Sequence, residues 1–183
     1  GAQGRREAHL AHVAHVFDLG ERQDQQHVSA DVLLQALVAV PDIEAVAGGG
    51  AGEIDRQVAR LPPAMPYIPG LLSFRELPVL FAALDMLKAK PDLAFVDGHG
   101  IAHPRRLGIA AHFGVATGIP SIGVGREILV GEPRMALHDM RGAFTPLRDK
   151  SEQIGWVLRS KVGCLPLIVS PGHKVAMASA PEL

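Results

Sequence analysis

A stretch of ten residues, 97–106, combines one acid, two glycines, two histidines and two arginines. Asp97 directly follows an apolar run, so its carboxylate would lie at the end of a strand. Gly98 and Gly100 permit a tight turn and a close approach of the backbone to a ligand. This combination predicts a ligand site beyond the end of that strand. The alternative interpretation is an aspartate that only stabilises a turn.

Arg105 and Arg106 of the same stretch would lie in the first turn of a helix predicted over 104–117, with Pro104 at its first position. Cations are unfavourable at a helix N-terminus because of the helix dipole. A phosphate bound there would reverse that effect. We therefore expect the two arginines either to contact phosphate or to be merely solvated. His103 stands where a dinucleotide-binding motif needs its last glycine, which argues against such a motif.

Glu76 is a second candidate acid, upstream in the chain. It lies three residues after Ser73, which is the spacing of a capping box at the start of a helix. Pro78 weakens that interpretation, because a helix that starts at Phe74 would place the proline beyond its first turn. A helix that starts nearer Leu77 accommodates the proline and leaves Glu76 at the junction.

Tyr67, the only tyrosine of the chain, lies between two prolines, Pro66 and Pro69. Proline fixes φ and stiffens the backbone. A rigid, exposed aromatic ring is suited to entering an unstacked base step of a nucleic acid. Ordinary packing of an amphipathic ring is the alternative.

His173 follows the last of three predicted strands. We expect it on the same side of the sheet as Asp97, where it would join a site at the strand ends. A turn histidine without a role is the alternative interpretation.

Short apolar runs alternate with helical patterns from residue 54 onwards. The predicted strands are 93–96, 121–124 and 167–169, and the predicted helices are a stripe that includes Leu80, Leu84 and Leu87, the segment 104–117 and the segment 152–161. This alternation predicts an α/β fold with a largely parallel core. Leucines at helical spacing also predict a helix within 30–47.

Length and composition restrict the class of protein. A chain of 183 residues is typical of a single domain. One cysteine, Cys164, excludes a disulfide framework and fits a reducing cytoplasm. No apolar run approaches the roughly 18 residues of a membrane helix. The net charge of −1 excludes a globally basic nucleic-acid binder but not a local basic patch.

The chain resembles endonuclease V over roughly residues 54–183, and the motifs that carry the resemblance are the segments 66–70, 73–76, 96–108, 122–124 and 172–174. The resemblance implies an α/β, ribonuclease H-like fold with a central mixed sheet flanked by helices. It also implies a Mg²⁺-dependent endonuclease of DNA repair, with Mn²⁺ as a substitute metal. Such an enzyme recognises deoxyinosine and cleaves the second phosphodiester bond on its 3′ side. Inosine-containing DNA or RNA would be the partner of a monomeric, cytoplasmic protein that does not bind membranes.

The resemblance assigns five residues to the active site. Glu76 and Asp97 match two metal-binding carboxylates of the family. His103 and His173 match two active-site histidines. The first catalytic aspartate of the family lies on an N-terminal strand, and Asp31 is the nearest match, which would make it a third metal ligand.

Six further residues would bind the nucleic acid if the resemblance holds. Tyr67 matches the wedge that separates the strands. The pocket for the flipped base would be lined by three glycines, Gly70, Gly98 and Gly100. The phosphate backbone would be met by Arg105 and by Arg126, which stands where the family usually has a lysine.

We therefore expect one endonuclease V-like domain over 1–183, with a divergent N-terminal part, 1–53, and a family-like catalytic core, 54–183. The rival hypothesis is a catalytically inactive remnant that still binds inosine-containing nucleic acid, because 1–53 lacks a clear first catalytic block. A phosphate-binding α/β module that uses the stretch 98–106 is a third hypothesis.

Overall fold

The structure is a computed structural model that describes residues 13–18, 32–40, 52–63, 65–66 and 68–181. Up to residue 56 it describes the course of the strands. Asp31 and Tyr67 lie outside the described residues, so the roles predicted for them stay predictions.

A nine-stranded sheet runs through the described part of the chain, in the order β3-β2-β1-β4-β5-β9-β8-β7-β6. The strands are β1 (Val13–Asp18), β2 (Val32–Val40), β3 (Gly52–Leu61), β4 (Leu93–Asp97), β5 (Ser121–Gly125), β6 (Glu132–Pro133), β7 (Phe144–Asp149), β8 (Glu152–Leu158) and β9 (Leu167–His173). β4 is parallel to both β1 and β5, and the other neighbouring pairs are antiparallel. The sheet is therefore mixed, which confirms the predicted fold class, whereas the prediction of a largely parallel core is wrong.

One face of the sheet is covered by two helices, α1 (Leu72–Asp85) and α2 (Ile109–Thr117). Their apolar side chains pack with Ala94 and Val96, the buried residues of β4, in a cluster that includes Leu80 and Phe113. Leu80 is 1% exposed and Phe113 0%, and burial of each side chain contributes about 1.5–3 kcal/mol. Among the described residues, no helix is both long enough and apolar enough to cross a membrane.

The opposite face of the sheet packs against the C-terminal segment. Leu93 and Phe95 alternate along β4 with the helix-facing residues, as the period of a strand requires, and they join a second cluster that contains Ala180. Trp156 Nε1 donates a hydrogen bond to the carbonyl of Met177 at 2.7 Å. Both faces of the central strands are thus covered, which explains their continuous apolar sequences.

The three strands predicted in the centre of the sheet are confirmed, whereas two predicted helices are wrong. The predicted strands 93–96, 121–124 and 167–169 are confirmed as β4, β5 and β9. The predicted helix 152–161 is wrong, because this segment forms β8 between β7 and β9. The helix predicted within 30–47 is also wrong, because β2 lies there and pairs with a strand on each side. Tertiary pairing outweighs helical spacing in both segments.

Both helix starts differ from the predictions. α1 begins at Leu72 without a side-chain cap, so neither the capping box at Ser73 nor a helix start nearer Leu77 is correct. Pro78 lies inside α1, where its missing N–H removes one helical hydrogen bond. α2 begins at Ile109 and not at Pro104. Arg106 has a φ of 55°, a left-handed conformation that cannot continue a helix.

Candidate active site

Asp97 and Arg126 meet where two neighbouring parallel strands end. Asp97 is the last residue of β4 and pairs in register with Val124 of β5, and Arg126 directly follows β5. Arg126 Nη2 lies 3.7 Å from Asp97 Oδ2, and the side chains are 55% and 21% exposed respectively. This distance is longer than a hydrogen bond, so the carboxylate oxygens keep lone pairs for another ligand.

The loop 98–108 lies against the ends of β5 and β9. The Gly100 N–H donates a hydrogen bond to Ser170 Oγ at 2.8 Å, and the Gly98 N–H donates to the carbonyl of Val124 at 3.1 Å. A Cβ atom on Gly123 would overlap the backbone of residues 98–100. The glycines therefore permit close packing of loop on sheet. Gly100 is buried by this packing, so it does not line an open pocket as predicted, whereas Gly98 is partly exposed.

His99 is a site residue that the sequence analysis missed. Its ring lies over Gly125, and Nε2 lies 2.7 Å from the carbonyl of Glu127. Because a carbonyl only accepts, Nε2 carries the proton and Nδ1 is an acceptor in the neutral ring. Burial lowers the pKa of His99, against the raising effects of this hydrogen bond and of Asp97. Its position between two glycines directly after Asp97 was the signal available in the sequence.

His103 lies on the same loop and is partly exposed. Its Nδ1 accepts a hydrogen bond from the backbone N–H of Arg105 at 3.2 Å, which leaves Nε2 as the donor of the neutral ring. Partial burial, followed by the charges of Arg105 and His99, lowers the pKa of His103. A neutral imidazole is therefore favoured at this position near pH 7.

The two arginines of the loop contact protein groups. Arg106 Nη2 lies 2.7 Å from Asp149 Oδ2, and its Nε lies 2.8 Å from Glu152 Oε2. The hydrogen bonds that Arg106 donates to these two carboxylates, the one to Asp149 first, raise the pKa of Arg106. Arg105 Nη2 donates to the carbonyl of Gly70 at 2.5 Å. The first turn of a helix, in which both arginines were predicted, does not form here.

Glu76 lies in α1, where it is 8% exposed. One turn earlier, Ser73 Oγ lies 3.1 Å from His112 Nδ1 of α2. The rings of Phe74 and His112 meet edge to face, with their centroids 4.7 Å apart. The side chain of Ile109, at the start of α2, lies where a Cβ atom on Gly98 would be. These contacts place the first turns of both helices at the Asp97 end of the sheet.

The strand register brings Asp18 to the same end of the sheet. Val16 of β1 pairs with Val96 of β4 in a parallel ladder, so Asp18, the last residue of β1, is level with Gly98. The sequence signal is an apolar run that ends in aspartate, the same pattern that precedes Asp97. Within the described part of the chain, no group of three or more His, Cys, Asp or Glu residues is placed to hold a metal ion.

His173 is separated from Asp97, contrary to the expectation that both lie on one side. β9 runs antiparallel to β5, so His173 pairs with Ser121 at the beginning of that strand. Asp97 pairs with Val124, three residues further along β5, which corresponds to about 10 Å. The structure therefore does not bring His173 together with Asp97.

The sequence model of the Endonuclease V family matches residues 10–183. The chain belongs to the Endonuclease V family. It is 52% identical over 168 residues to the Endonuclease V of Xanthomonas oryzae pv. oryzae (strain PXO99A). That match covers 90% of this chain but 64% of the relative, so the chain spans less than two thirds of the relative's length.

Solved structures of Endonuclease V share the fold. The enzyme from Streptomyces avermitilis is 34% identical, with a TM-score of 0.78 over 94% of this chain and 70% of that chain. The enzyme from Ciona intestinalis is 21% identical, with a TM-score of 0.70 over 96% of this chain and 77% of that chain. The Ciona structure holds a 24-mer DNA that contains an inosine followed by a ribo-adenosine. These neighbours confirm the ribonuclease H-like fold expected of the family.

Proposed function

We propose that this chain is a metal-dependent endonuclease that acts on inosine-containing nucleic acid in DNA repair. The finer proposal is a Mg²⁺-dependent cut at the second phosphodiester bond on the 3′ side of deoxyinosine. The observation that carries it is Asp97 at the end of β4, facing the exposed guanidinium of Arg126, in a member of the Endonuclease V family. Residues 1–183 would form one domain, with 54–183 as its catalytic core, in a monomeric, cytoplasmic protein.

The donor set fits a hard divalent cation. Asp97 and Glu76 supply carboxylate oxygens, the ligands that Mg²⁺ prefers, and Mn²⁺ accepts the same donors. Asp18 is our candidate for a third carboxylate because its register position adjoins Asp97. Asp31, the earlier candidate, remains the alternative. When bound, the ion supplies a water of lowered pKa and positive charge beside the phosphate.

The residues of the chain would supply the remaining chemistry. The Arg126 guanidinium, which is 55% exposed, would hold a phosphate beside Asp97. The neutral ring of His103 would donate a hydrogen bond from Nε2 to a phosphate oxygen. His173 stays a predicted participant, and its position at the far end of β5 excludes direct contact with Asp97 in this arrangement.

Recognition of the base would rest on two segments. Tyr67 would open the base step as a wedge, and the partly exposed Gly98 and the exposed Gly70 would meet the flipped base. Hypoxanthine pairs more weakly than adenine does, so its extrusion from a duplex requires less free energy. Inosine-containing DNA is the proposed substrate, and inosine-containing RNA is the alternative.

The test is cleavage of an end-labelled duplex with one deoxyinosine, in Mg²⁺ and then in EDTA. We expect a single nick on the 3′ side, lost in EDTA and in Asp97→Ala. Asp139→Ala is the matched control, because this carboxylate is 91% exposed and forms an ion pair with Arg159 on the surface. We expect that control to cleave like the parent chain.

A second candidate function is an inactive protein that binds inosine-containing strands. It is favoured by the lack of a three-residue metal group among the described residues. Salt-sensitive binding of the inosine strand without a nick at any Mg²⁺ concentration, from a folded protein, would establish it and overturn the proposed nuclease.

A further inference from the structure

Arg105 joins two surface segments that are far apart in the sequence. Its Nη2 donates a hydrogen bond to the carbonyl of Gly70 at 2.5 Å, across 35 positions of the chain. Gly70 belongs to a turn in which the Leu71 N–H donates to the carbonyl of Ile68 at 3.0 Å, and its φ is +80°. A Cβ atom on Gly70 would overlap the guanidinium, so the charged group lies directly against the turn.

The other end of Arg105 is fixed by the loop 98–108. Its backbone N–H donates to His103 Nδ1 at 3.2 Å. The next residue, Arg106, is bound to Asp149 and Glu152 of the β7–β8 hairpin. The side chain of Arg105 therefore reaches from an anchored loop to the turn that directly follows Tyr67.

We propose that Arg105 is a positioning residue that holds the turn 68–71, which directly follows the proposed wedge Tyr67 in the sequence, in a fixed position relative to the site at Asp97. This inference rests on the proposed function. A wedge lowers the free energy of opening a base pair only if its position is fixed relative to the pocket. A single-stranded substrate needs no such opening. Loss of Arg105 should therefore affect duplex substrates selectively.

A phosphate contact is the competing role for an exposed arginine, and salt dependence separates the two roles. Removal of one phosphate contact lowers the magnitude of the negative slope of log K against log salt by about 0.9 for a duplex and about 0.7 for a single strand. A residue that acts through a neighbouring turn leaves both slopes unchanged. Arg126, whose guanidinium is exposed near Asp97, is the comparator for a phosphate contact.

The experiment compares Arg105→Ala, Arg126→Ala and the control Arg141→Ala on duplex and single-stranded deoxyinosine oligonucleotides. Arg141 is exposed and precedes β7, which lies three strands away from β5 in the sheet. We expect Arg105→Ala to lower duplex cleavage by roughly threefold to tenfold, the effect of losing one ordinary hydrogen bond at a solvent-exposed position, with single-strand cleavage and both salt slopes unchanged. Tyr67→Ala should show the same selective loss, and the double variant should lose no more than Tyr67→Ala alone. An equal loss on both substrates, or a reduced slope, overturns the proposal.

A second measurement needs no nuclease activity. Because Tyr67 is the only tyrosine, 3-fluorotyrosine gives the full chain one ¹⁹F resonance. We expect Arg105→Ala to shift and narrow this resonance in the free protein, and Arg141→Ala to leave it unchanged. An unchanged resonance in Arg105→Ala overturns the positioning role. If the resonance shifts but the parent chain cleaves no substrate, the positioning role stands and the proposed nuclease function is wrong.

Discussion

The guanidinium of Arg126 lies 3.7 Å from the carboxylate of Asp97, across the ends of the parallel strands β4 and β5. No long loop is needed to bring them together, because Asp97 ends β4 and Arg126 directly follows β5. A positive charge thus stands beside the acid that is proposed to bind metal. The first prediction concerns what this charge does.

Arg126→Ala should weaken binding of an inosine duplex and lower the magnitude of the salt slope by about 0.9, the signature of one lost phosphate contact. Arg126→Lys should keep the slope, because the charge is retained. The stability change should stay below about 1 kcal/mol, because the ion pair is partly exposed. Binding titrations at several salt concentrations and urea unfolding measure the two effects. An unchanged slope in Arg126→Ala would contradict the assigned contact.

Arg106 should have two opposite effects on the free energy of unfolding: its ion pairs stabilise the fold, and its left-handed backbone conformation destabilises it. Arg106→Ala removes the ion pairs to Asp149 and Glu152 and should lower the free energy of unfolding by about 1–2 kcal/mol. Arg106→Gly removes the same pairs but relieves the left-handed φ of 55°, so its loss should be about 1 kcal/mol smaller. Urea unfolding of both variants is the measurement. A glycine variant no more stable than the alanine variant would contradict the strain at this residue.

The pKa of His103 should lie below its ordinary value of 6.5, because of partial burial and then the charge of Arg105. The folded protein then binds this proton less tightly than the unfolded chain does. His103 therefore lowers the free energy of unfolding progressively as pH falls from 6.5 to its folded pKa, and has no such effect above 6.5.

NMR titration of the His103 ring measures this pKa directly. Arg105→Ala should raise the pKa towards 6.5, whereas Arg141→Ala should leave it unchanged. His103→Gln should flatten the stability profile in the same pH range. A pKa that does not move in Arg105→Ala would show that the charge of Arg105 does not reach the ring.

Gly123→Ala should disrupt the packing of the loop 98–108 on β5. The added Cβ would overlap backbone atoms of His99 and Gly100, which cannot rotate away as a side chain can, so we expect a loss of about 3 kcal/mol. Gly142→Ala is the comparison, because its φ is +83° but no atom lies within 4 Å, and about 1 kcal/mol is expected there. Equal losses in urea unfolding would mean that the loop yields to the new methyl group.

The parts of the fold that could be predicted from the sequence are those that depend on local pattern. β4, β5 and β9 are short continuous apolar runs because both of their faces are covered. β8 was predicted as a helix because Ile154, Trp156 and Val157 show no decisive period. Only its pairing with β7 and β9 determines its conformation.

In the candidate site, too, the features that depend on local sequence could be predicted and those that depend on long-range contacts could not. Asp97 could be placed from its strand, and its neighbour Arg126 follows from the parallel arrangement of β4 and β5. The start of α2 could not be predicted, because the left-handed conformation of Arg106 keeps the helix from starting earlier. This conformation occurs together with ion pairs to residues more than 40 positions away, which no local pattern indicates. His173 was misplaced because the direction of β9 is a property of the whole sheet.

The hydrogen bond from the Gly100 N–H to Ser170 Oγ joins residues 70 positions apart. Contacts of such long range close slowly, since the entropy of a large loop must be lost before they form. During synthesis, Asp97 leaves the ribosome well before β9, which forms the surface on which its loop rests. We therefore expect the loop at Asp97 to take its final shape late in folding, once β9 has joined the sheet.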